Sequence, residues 1–224
     1  MENPWHNLPT TSPFVLASER DVVETFNRHY TDPQTRIRLE VLPEPFIGNP
    51  EANVVVLSLN PGFDSTDPEW HARPDFAASI HANLRHEPQD YPFYPLNPAY
   101  SQSGAYAWWR SKLNGLITDT SLPAVVNKLF CVEWFPYHSV SYKEVPNRLS
   151  GGLMPSQRYA VSLVEDAIAR GATIVAMRRR KDWERYVPAL RGYPKVHGLR
   201  SAQSAYLSPG NIVDYQQVVT ALKG

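Results

Sequence analysis

Cysteine is almost absent from this chain, which has only Cys131 in 224 residues. A single thiol excludes an internal disulfide framework, a multi-cysteine zinc site and a four-cysteine iron–sulfur cluster. An excess of one charge is lacking as well, because 22 Lys and Arg are balanced by 22 Asp and Glu. A neutral chain is a poor non-specific binder of polyanions, although a local basic groove remains compatible with it.

Long apolar runs are also missing, since none approaches the length that spans a membrane. The N-terminal Met-Glu-Asn-Pro-Trp-His lacks the charged-then-apolar pattern of a signal peptide. The P-loop, the dinucleotide glycine fingerprint and the nucleophile elbow are not found. We therefore expect a soluble, cytoplasmic protein with no membrane partner, no cofactor and no metal.

Proline, by contrast, is abundant, with 21 residues concentrated in 1–13, 43–50, 61–98 and 123–155. Aromatic residues are interleaved with these prolines, which favours long ordered loops over disorder. The segment 64–103 is the longest of them, and a long loop that follows a strand commonly carries function.

Four apolar segments predict the strands of a sheet: residues 54–57, 129–135, 172–177 and 195–199. Helical patterns alternate with these segments, which predicts an α/β three-layer sandwich with a central, mainly parallel four-stranded sheet. We expect one domain over residues 1–224. Residues 1–17 would form an irregular N-terminal arm, with Trp5 and Phe14 as its anchors.

Helices are predicted over residues 18–30, 75–84, 104–117, 123–128, 155–170, 183–190 and 211–222. Ser18 and Asn211 are the expected N-caps of the first and the last of them, with Asp214 completing a start like a capping box. Gly171 would close the helix 155–170. We also expect an edge strand over residues 36–42.

The strand 54–57 stops abruptly at Ser58-Leu59-Asn60-Pro61-Gly62. Pro61 cannot donate to a sheet ladder and Gly62 permits backbone angles closed to other residues, so the chain must leave the sheet here. In open α/β sheets ligands bind at the carboxyl ends of strands. Asn60 is therefore either a site residue or the side chain that closes an Asx-type turn.

Polar residues follow two other strands. Glu133 ends an apolar strand as a site residue, a solvated strand end or a buried acid paired with an arginine. The run Arg178-Arg179-Arg180-Lys181 either grips phosphate or forms a solvated charged face. We expect three strand ends to converge on one edge of the sheet: residues 58–63, 133–139 and 200–208.

A buried strand followed by Ser-Leu-Asn60-Pro61-Gly62 resembles the first motif, G-x-N-P-G, of the uracil-DNA glycosylase superfamily. The mismatch-specific and single-strand-selective branches are the most similar, with Ser58 in place of the first glycine. Pro92-Phe93 resembles a Pro-Phe pair whose aromatic ring stacks on the flipped base. Glu133 takes the place of the base-reading residue, usually asparagine. The last motif, H-P-S-P-L-S, overlies residues 203–208 with Gln203 in the histidine position.

This resemblance spans roughly residues 50–222 and implies a DNA glycosylase, a hydrolase that cleaves the N-glycosidic bond of a flipped, modified base. The implied partner is single- or double-stranded DNA, bound by a monomer. Asn60 and Gln203 would be catalytic, with Asn60 orienting water. The base would be held by Leu59, Gly62, Phe63, Phe93, Tyr94 and Glu133. DNA would be held by Arg178, Arg179, Arg200, Ser204, Tyr206, Leu207 and Ser208, with Tyr206 or Leu207 as the wedge that enters the base stack.

A second interpretation is a protein that binds a nucleotide or modified base on the same scaffold without cleaving it. The neutral net charge and Gln203 favour it.

On the substrate, the family has tyrosine or glycine at position 62, so Gly62 implies space for a C5 substituent. An ionised Glu133 can only accept hydrogen bonds, which predicts a C5-substituted cytosine rather than uracil. A protonated Glu133, which burial favours, would donate to O4 and admit uracil again.

Overall fold

A mixed five-stranded sheet forms the centre of the protein in the computed structural model, which describes residues 1–224. The strands are β1 Phe46–Gly48, β2 Val54–Leu57, β3 Leu129–Val132, β4 Thr173–Ala176 and β5 Val196–Gly198. Their order is β1-β3-β2-β4-β5. Strands β2 to β5 pair in parallel, whereas β1 pairs antiparallel with β3. The α/β class is confirmed, but the expected four-stranded sheet is wrong, because a fifth, antiparallel strand covers one edge.

Strands β2, β3 and β4 are buried along their whole length because nearly all of their side chains are apolar. Val56 of β2 lies in register with Cys131 of β3 on one side and with Val175 of β4 on the other. Such continuous apolar strands are typical of parallel sheets with both faces covered.

Ten helices flank the sheet: α1 Arg20–His29, α2 Asp67–Ala72, α3 Pro74–Leu84, α4 Gly104–Lys112, α5 Asn114–Asp119, α6 Leu122–Lys128, α7 Asn147–Ser150, α8 Pro155–Ala169, α9 Arg180–Tyr186 and α10 Tyr215–Lys223. Four short 3-10 turns add Pro4–Asn7, Tyr94–Leu96, Pro98–Tyr100 and Pro188–Arg191. No helix has both the length and the apolar character that crossing a bilayer requires.

Most predicted helices are confirmed, but two are divided. The segment 104–117 is interrupted at Leu113, which separates α4 from α5, and Trp108 on α4 is 40% exposed. The segment 183–190 is divided by Pro188, which cannot continue a helix, into α9 and a 3-10 turn. Gly171 closes α8 with a φ of +80°, as expected.

The predicted edge strand and first cap are wrong. Residues 36–42 contribute only an isolated bridge between Arg38 and His138, and the edge strand forms later, at β1. Glu19, not Ser18, precedes α1 and makes no capping bond. Its carboxylate is buried and accepts from the Tyr137 hydroxyl and the Ser156 N–H, at 2.6 Å each.

Asn211 does not cap the last helix either. Helix α10 begins at Tyr215, and Asp214 precedes it in the left-handed conformation. The Asn211 amide instead donates to the carbonyls of Ser201 at 3.1 Å and Tyr206 at 2.9 Å, and accepts from the Ser201 N–H at 2.8 Å. Asn211 therefore ties together the loop of residues 201–210.

The N-terminal arm is anchored as predicted by Trp5, which is buried and packs edge-on against Tyr137 with ring centroids 6.2 Å apart. Phe14 is partly buried against the same core. The arm is not wholly irregular, because residues Pro4–Asn7 form a 3-10 turn capped by Asn3.

Gly48 ends β1 with a φ of +110°, and a Cβ at this position would overlap the Leu129 carbonyl of β3. We expect Gly48→Ala to lower the free energy of unfolding by about 2–3 kcal/mol, because backbone strain and overlap act together. Urea denaturation measures this. Gly192→Ala is the matched control, since its surroundings are open. Similar, small losses in both variants would contradict the predicted strain.

Candidate functional site

The carboxyl ends of β2 and β4 form a topological switch point. The chain runs from β2 to β3 on one side and from β4 to β5 on the other, so the two connections diverge, and in open α/β sheets the crevice outside such a point is where ligands bind. The N–H groups of Met177 and Arg178 both donate to the Leu57 carbonyl at 3.0 Å, which holds the two strand exits together. This crevice is the place where the fold itself favours a ligand.

Hydrogen bonds join two of the three strand ends that were predicted to converge, and the third is bonded to the exit of β4. The Phe135 N–H donates to the Leu59 carbonyl at 2.8 Å, which joins the exits of β2 and β3. The Arg178 guanidinium reaches the Gln203 carbonyl at 3.5 Å, which joins the exit of β4 to the 201–210 loop.

Asn60 is half-buried, and its amide is held in one orientation. Its Nδ2 donates to the Pro61 carbonyl at 2.8 Å and to the Ser139 hydroxyl at 3.1 Å. These bonds use both N–H groups, while Oδ1 accepts no hydrogen bond from the protein. The side chain therefore presents a fixed, free acceptor at the exit of β2.

A buried ion pair supports the segment that follows Asn60. His138 Nδ1 donates to the Gly62 carbonyl at 2.6 Å, and its Nε2 lies 3.2 Å from the Glu44 carboxylate. Burial opposes both charges, yet attraction within the pair lowers the pKa of Glu44 and raises the pKa of His138. The Tyr94 hydroxyl also donates to Glu44. The Asn60 loop thus rests on a rigid, charged support.

Glu44, His71 and His138 come close enough to raise the question of a metal, since their ligand atoms lie within 4.8 Å of one another. His71 does not fit that role. Its Nδ1 accepts from the Leu42 N–H at 3.1 Å, so Nε2 carries the ring proton and neither nitrogen offers a free lone pair. A metal-bound histidine instead donates its second N–H. Burial and His138 lower the pKa of His71 to about 3, which keeps this ring neutral.

Glu133 is a second buried carboxyl, but it lacks the partner that Glu44 has. It is 5% exposed, its Oε2 has no hydrogen-bond partner, and its Oε1 faces the Cys131 thiol at 3.8 Å. Burial raises the pKa of Glu133 to about 8, and the neighbouring Ser58 and more distant Arg178 offset this only in part. At neutral pH Glu133 is therefore an uncharged acid with one donor and one acceptor, and the interpretation as a solvated strand end is wrong.

The expected base-binding residues differ in their exposure. Phe93 and Tyr94 are fully buried, with Phe93 edge-on to Trp109 at 4.9 Å, so neither presents the open ring face that stacking on a base needs. Gly62 is exposed, and no atom lies within 4 Å of where its Cβ would be. Leu59 and Phe63 are half-buried.

The expected phosphate-binding cations are largely occupied. Arg179 pairs with Glu144 at 2.8 Å and with Asp182 at 2.7 Å. Arg180 pairs with Glu184 at 2.6 Å. The Arg200 guanidinium donates to the carbonyls of Pro209, Gly210 and Ile212. Arg179 and Arg180 are thus paired with carboxylates, whereas Arg200 and Arg178, which reaches the Gln203 carbonyl at 3.5 Å, contact only neutral carbonyls.

The 201–210 loop also departs from expectation. Leu207 is fully buried and so presents no wedge to DNA, whereas Tyr206 is 44% exposed. The Gln203 side chain is exposed, and only its carbonyl is engaged. Ser204 donates to the Ser201 carbonyl at 3.1 Å, and the Ser208 carbonyl accepts from the N–H groups that follow it. Of the two expected wedges, only Tyr206 reaches the surface.

Sequence reasoning missed Glu44, His138 and Ser139, which hold the Asn60 loop. The signal for Glu44 was an acid between two prolines before a short apolar segment, Pro43-Glu44-Pro45-Phe46. His138-Ser139 lies in the loop after β3, at a strand end that was expected to reach the site. Their pairing across almost a hundred residues has no signal in the sequence.

Comparison with family models, with characterised proteins and with solved structures returns no significant match. A fixed amide oxygen, a neutral carboxylic acid and open space beside Gly62 lie on strand ends that meet. Such a set can orient water and recognise a polar planar group.

The protonation of Glu133 makes stability depend on pH. Its pKa is about 8 in the folded protein against an ordinary 4.5. The contribution of Glu133 to the free energy of unfolding is therefore largest below about pH 4.5 and falls as pH rises towards 8. From about pH 5 to pH 8 the wild type should lose stability that Glu133→Gln, which stays neutral, keeps. The free energy of unfolding of the variant relative to the wild type should therefore rise by about 1–3 kcal/mol over this range. Urea denaturation at both pH values measures this, with the exposed Glu165→Gln as control. Parallel pH profiles for Glu133→Gln and wild type would refute the neutral acid.

Proposed function

We propose that this protein is a DNA N-glycosylase with a uracil-DNA glycosylase-like fold, which hydrolyses the glycosidic bond of a base held in the crevice. The observation that carries the proposal is the orientation of Asn60. Its N–H groups are bound to Pro61 and Ser139, and its free Oδ1 lies at the switch point of the sheet. The Asn60-Pro61-Gly62 motif supplies the resemblance to the family.

Breaking a glycosidic bond leaves a cation-like sugar and an anionic base, and an oriented water must add to the sugar. Asn60 Oδ1 would accept a hydrogen bond from that water and hold it in line with the bond. The support beneath it keeps Oδ1 fixed, because His138 holds the Gly62 carbonyl and Ser139 holds the amide. Such preorganisation lowers the reorganisation that the reaction requires.

Glu133 would read the base as a neutral acid. Its O–H donates to a carbonyl oxygen and its C=O accepts from an adjacent N–H, which matches the O4 and N3–H edge of uracil. The raised pKa thus admits a pyrimidine with a C4 carbonyl, whose O4 an ionised carboxylate would repel, while the same neutral acid also matches N3 and the N4 amine of cytosine. The open space beside Gly62 suits a substituent on C5.

The second candidate function is binding of a nucleotide or modified base without cleavage. Two observations favour it. Gln203 presents a neutral amide where the family has a histidine to stabilise the leaving base, and Phe93 is fully closed by its neighbours. Abasic-site formation separates the two candidates, because binding alone produces none.

We expect Asn60→Ala to lower the rate of base release by about 100-fold, because the water loses its acceptor. The measurement is abasic-site formation on oligonucleotides that carry uracil, 5-substituted uracils or 5-substituted cytosines. Asn53→Ala is the matched control, since Asn53 is exposed and immediately precedes the same strand at its opposite end. Equal rates for both variants and the wild type would remove Asn60 from the mechanism.

The base preference should depend on pH through Glu133. Release of uracil-type bases by the wild type should fall as pH rises through about 8, because the donor is lost with the proton. Glu133→Gln should keep its uracil rate across this range, since an amide donates at every pH. If uracil release by the wild type stays constant as pH rises through about 8, Glu133 does not act as a neutral donor.

A further inference from the structure

A groove with a volume of about 810 Å³ lies outside the crevice, between helices α4 and α5 and the 201–210 loop. Its lining contains no acidic side chain. It contains the cations Arg110 and Lys112 and the aromatic residues Tyr106 and Tyr206, together with small polar residues. A basic, aromatic lining is therefore concentrated in one place on a chain whose net charge is zero.

Helix α4, which lines the groove, adjoins the segment after Asn60 at one end and the 201–210 loop at the other. At the first turn of α4, a Cβ on Gly104 would lie 3.5 Å from Asp64, which follows Asn60 by four residues. At the other end of α4, the Lys112 carbonyl accepts from the Leu207 N–H at 2.9 Å. Gly115 lets the loop pack closely, since a Cβ there would lie 3.1 Å from the Leu207 carbonyl. The groove therefore adjoins the 201–210 loop, whose Gln203 carbonyl accepts from Arg178 at the exit of β4.

Two large aromatic side chains are exposed beside the groove. Trp108 is 40% exposed and Tyr206 is 44% exposed. Only five large hydrophobic residues of the chain are exposed, and these are two of them. Lys112 Nζ lies 3.7 Å from the ring centroid of Tyr206 and 5.7 Å from that of Trp108. Exposed rings beside cations are the arrangement that binds unpaired nucleotides, with bases on the rings and phosphates on the cations.

The cations of the groove differ from Arg179 and Arg180 in their partners. Arg110 donates to the Asn114 amide oxygen at 2.7 Å and Lys112 to the Ser204 carbonyl at 2.9 Å. Both partners are neutral, whereas Arg179 and Arg180 are bound to carboxylates. The groove cations therefore keep a charge that phosphate can use.

We propose that this groove binds single-stranded DNA that flanks the base in the crevice, with Trp108 and Tyr206 stacking on unpaired bases and Arg110 and Lys112 contacting phosphates. A single strand is favoured over a duplex because the bases of a duplex are stacked on one another and offer no free face to these rings. The link to the crevice rests on the proposed function, but binding of plain single-stranded DNA in the groove does not.

The test is fluorescence anisotropy with a labelled, unmodified oligothymidine and with a matched duplex. The wild type should bind the single strand more tightly than the duplex. Trp108→Ala with Tyr206→Ala should weaken single-strand binding by about tenfold or more, while Tyr206→Phe, which keeps the ring, should bind as the wild type does. Arg110→Gln with Lys112→Gln should reduce the slope of log K against log salt by about 1.4.

Lys143→Gln is the matched control, because Lys143 lies over another tyrosine, Tyr30, at 4.2 Å and does not line the groove. Its affinity and salt slope should equal those of the wild type. Thermal melts of every variant establish that it is folded. Unchanged single-strand binding in the folded double variants, an equal loss in Lys143→Gln, or tighter binding of the duplex would each overturn the proposal.

Asn60→Ala separates this proposal from the proposed function, since it should bind oligothymidine as the wild type does. If no base is released from any oligonucleotide while binding still depends on Trp108 and Tyr206, the proposed DNA-binding groove is supported and the proposed glycosylase activity is refuted. If bases are released but the groove variants bind and react as the wild type does, the proposed role of the groove is refuted and the proposed glycosylase activity is supported.

Discussion

The buried contact between Glu44 and His138 is the interaction on which the candidate site depends. Two charges without access to water are stable only as a pair, and breaking such a pair costs about 3–5 kcal/mol. Here the pair does more than satisfy itself, because His138 also donates to the Gly62 carbonyl. The backbone after Asn60 is thereby held by His138, which follows β3, and by Glu44, which precedes β1. The Asn60 Oδ1 is therefore carried by a rigid loop.

Glu133 shows what the same burial does without a partner. Both carboxyls are buried, but Glu44 has an imidazolium beside it and keeps its charge, while Glu133 has none and keeps its proton. The protein thus places an ionised acid beneath the loop and a neutral acid at the end of β3. The first can anchor and the second can both donate and accept, so their surroundings separate their roles.

The basic residues also differ in their partners, which are acidic for some and neutral for others. Arg179 and Arg180 stand out in the sequence as part of a basic run, yet each is paired with a carboxylate. Arg110 and Lys112 are inconspicuous in the sequence but lie together beside exposed rings. Zero net charge therefore conceals a local basic surface, because the balance is global whereas binding depends on which cations lack an acidic partner.

The sequence by itself determined the α/β class, the four parallel strands and the exit at Asn60-Pro61-Gly62, because apolar periodicity, proline and glycine act locally. It misplaced β1 and the caps at Ser18 and Asn211, whose outcome depends on distant partners. Only the tertiary structure decided that Leu207 is buried, that Glu133 is neutral and that Glu44 meets His138. These properties follow from burial and from contacts across almost a hundred residues, which no local pattern encodes.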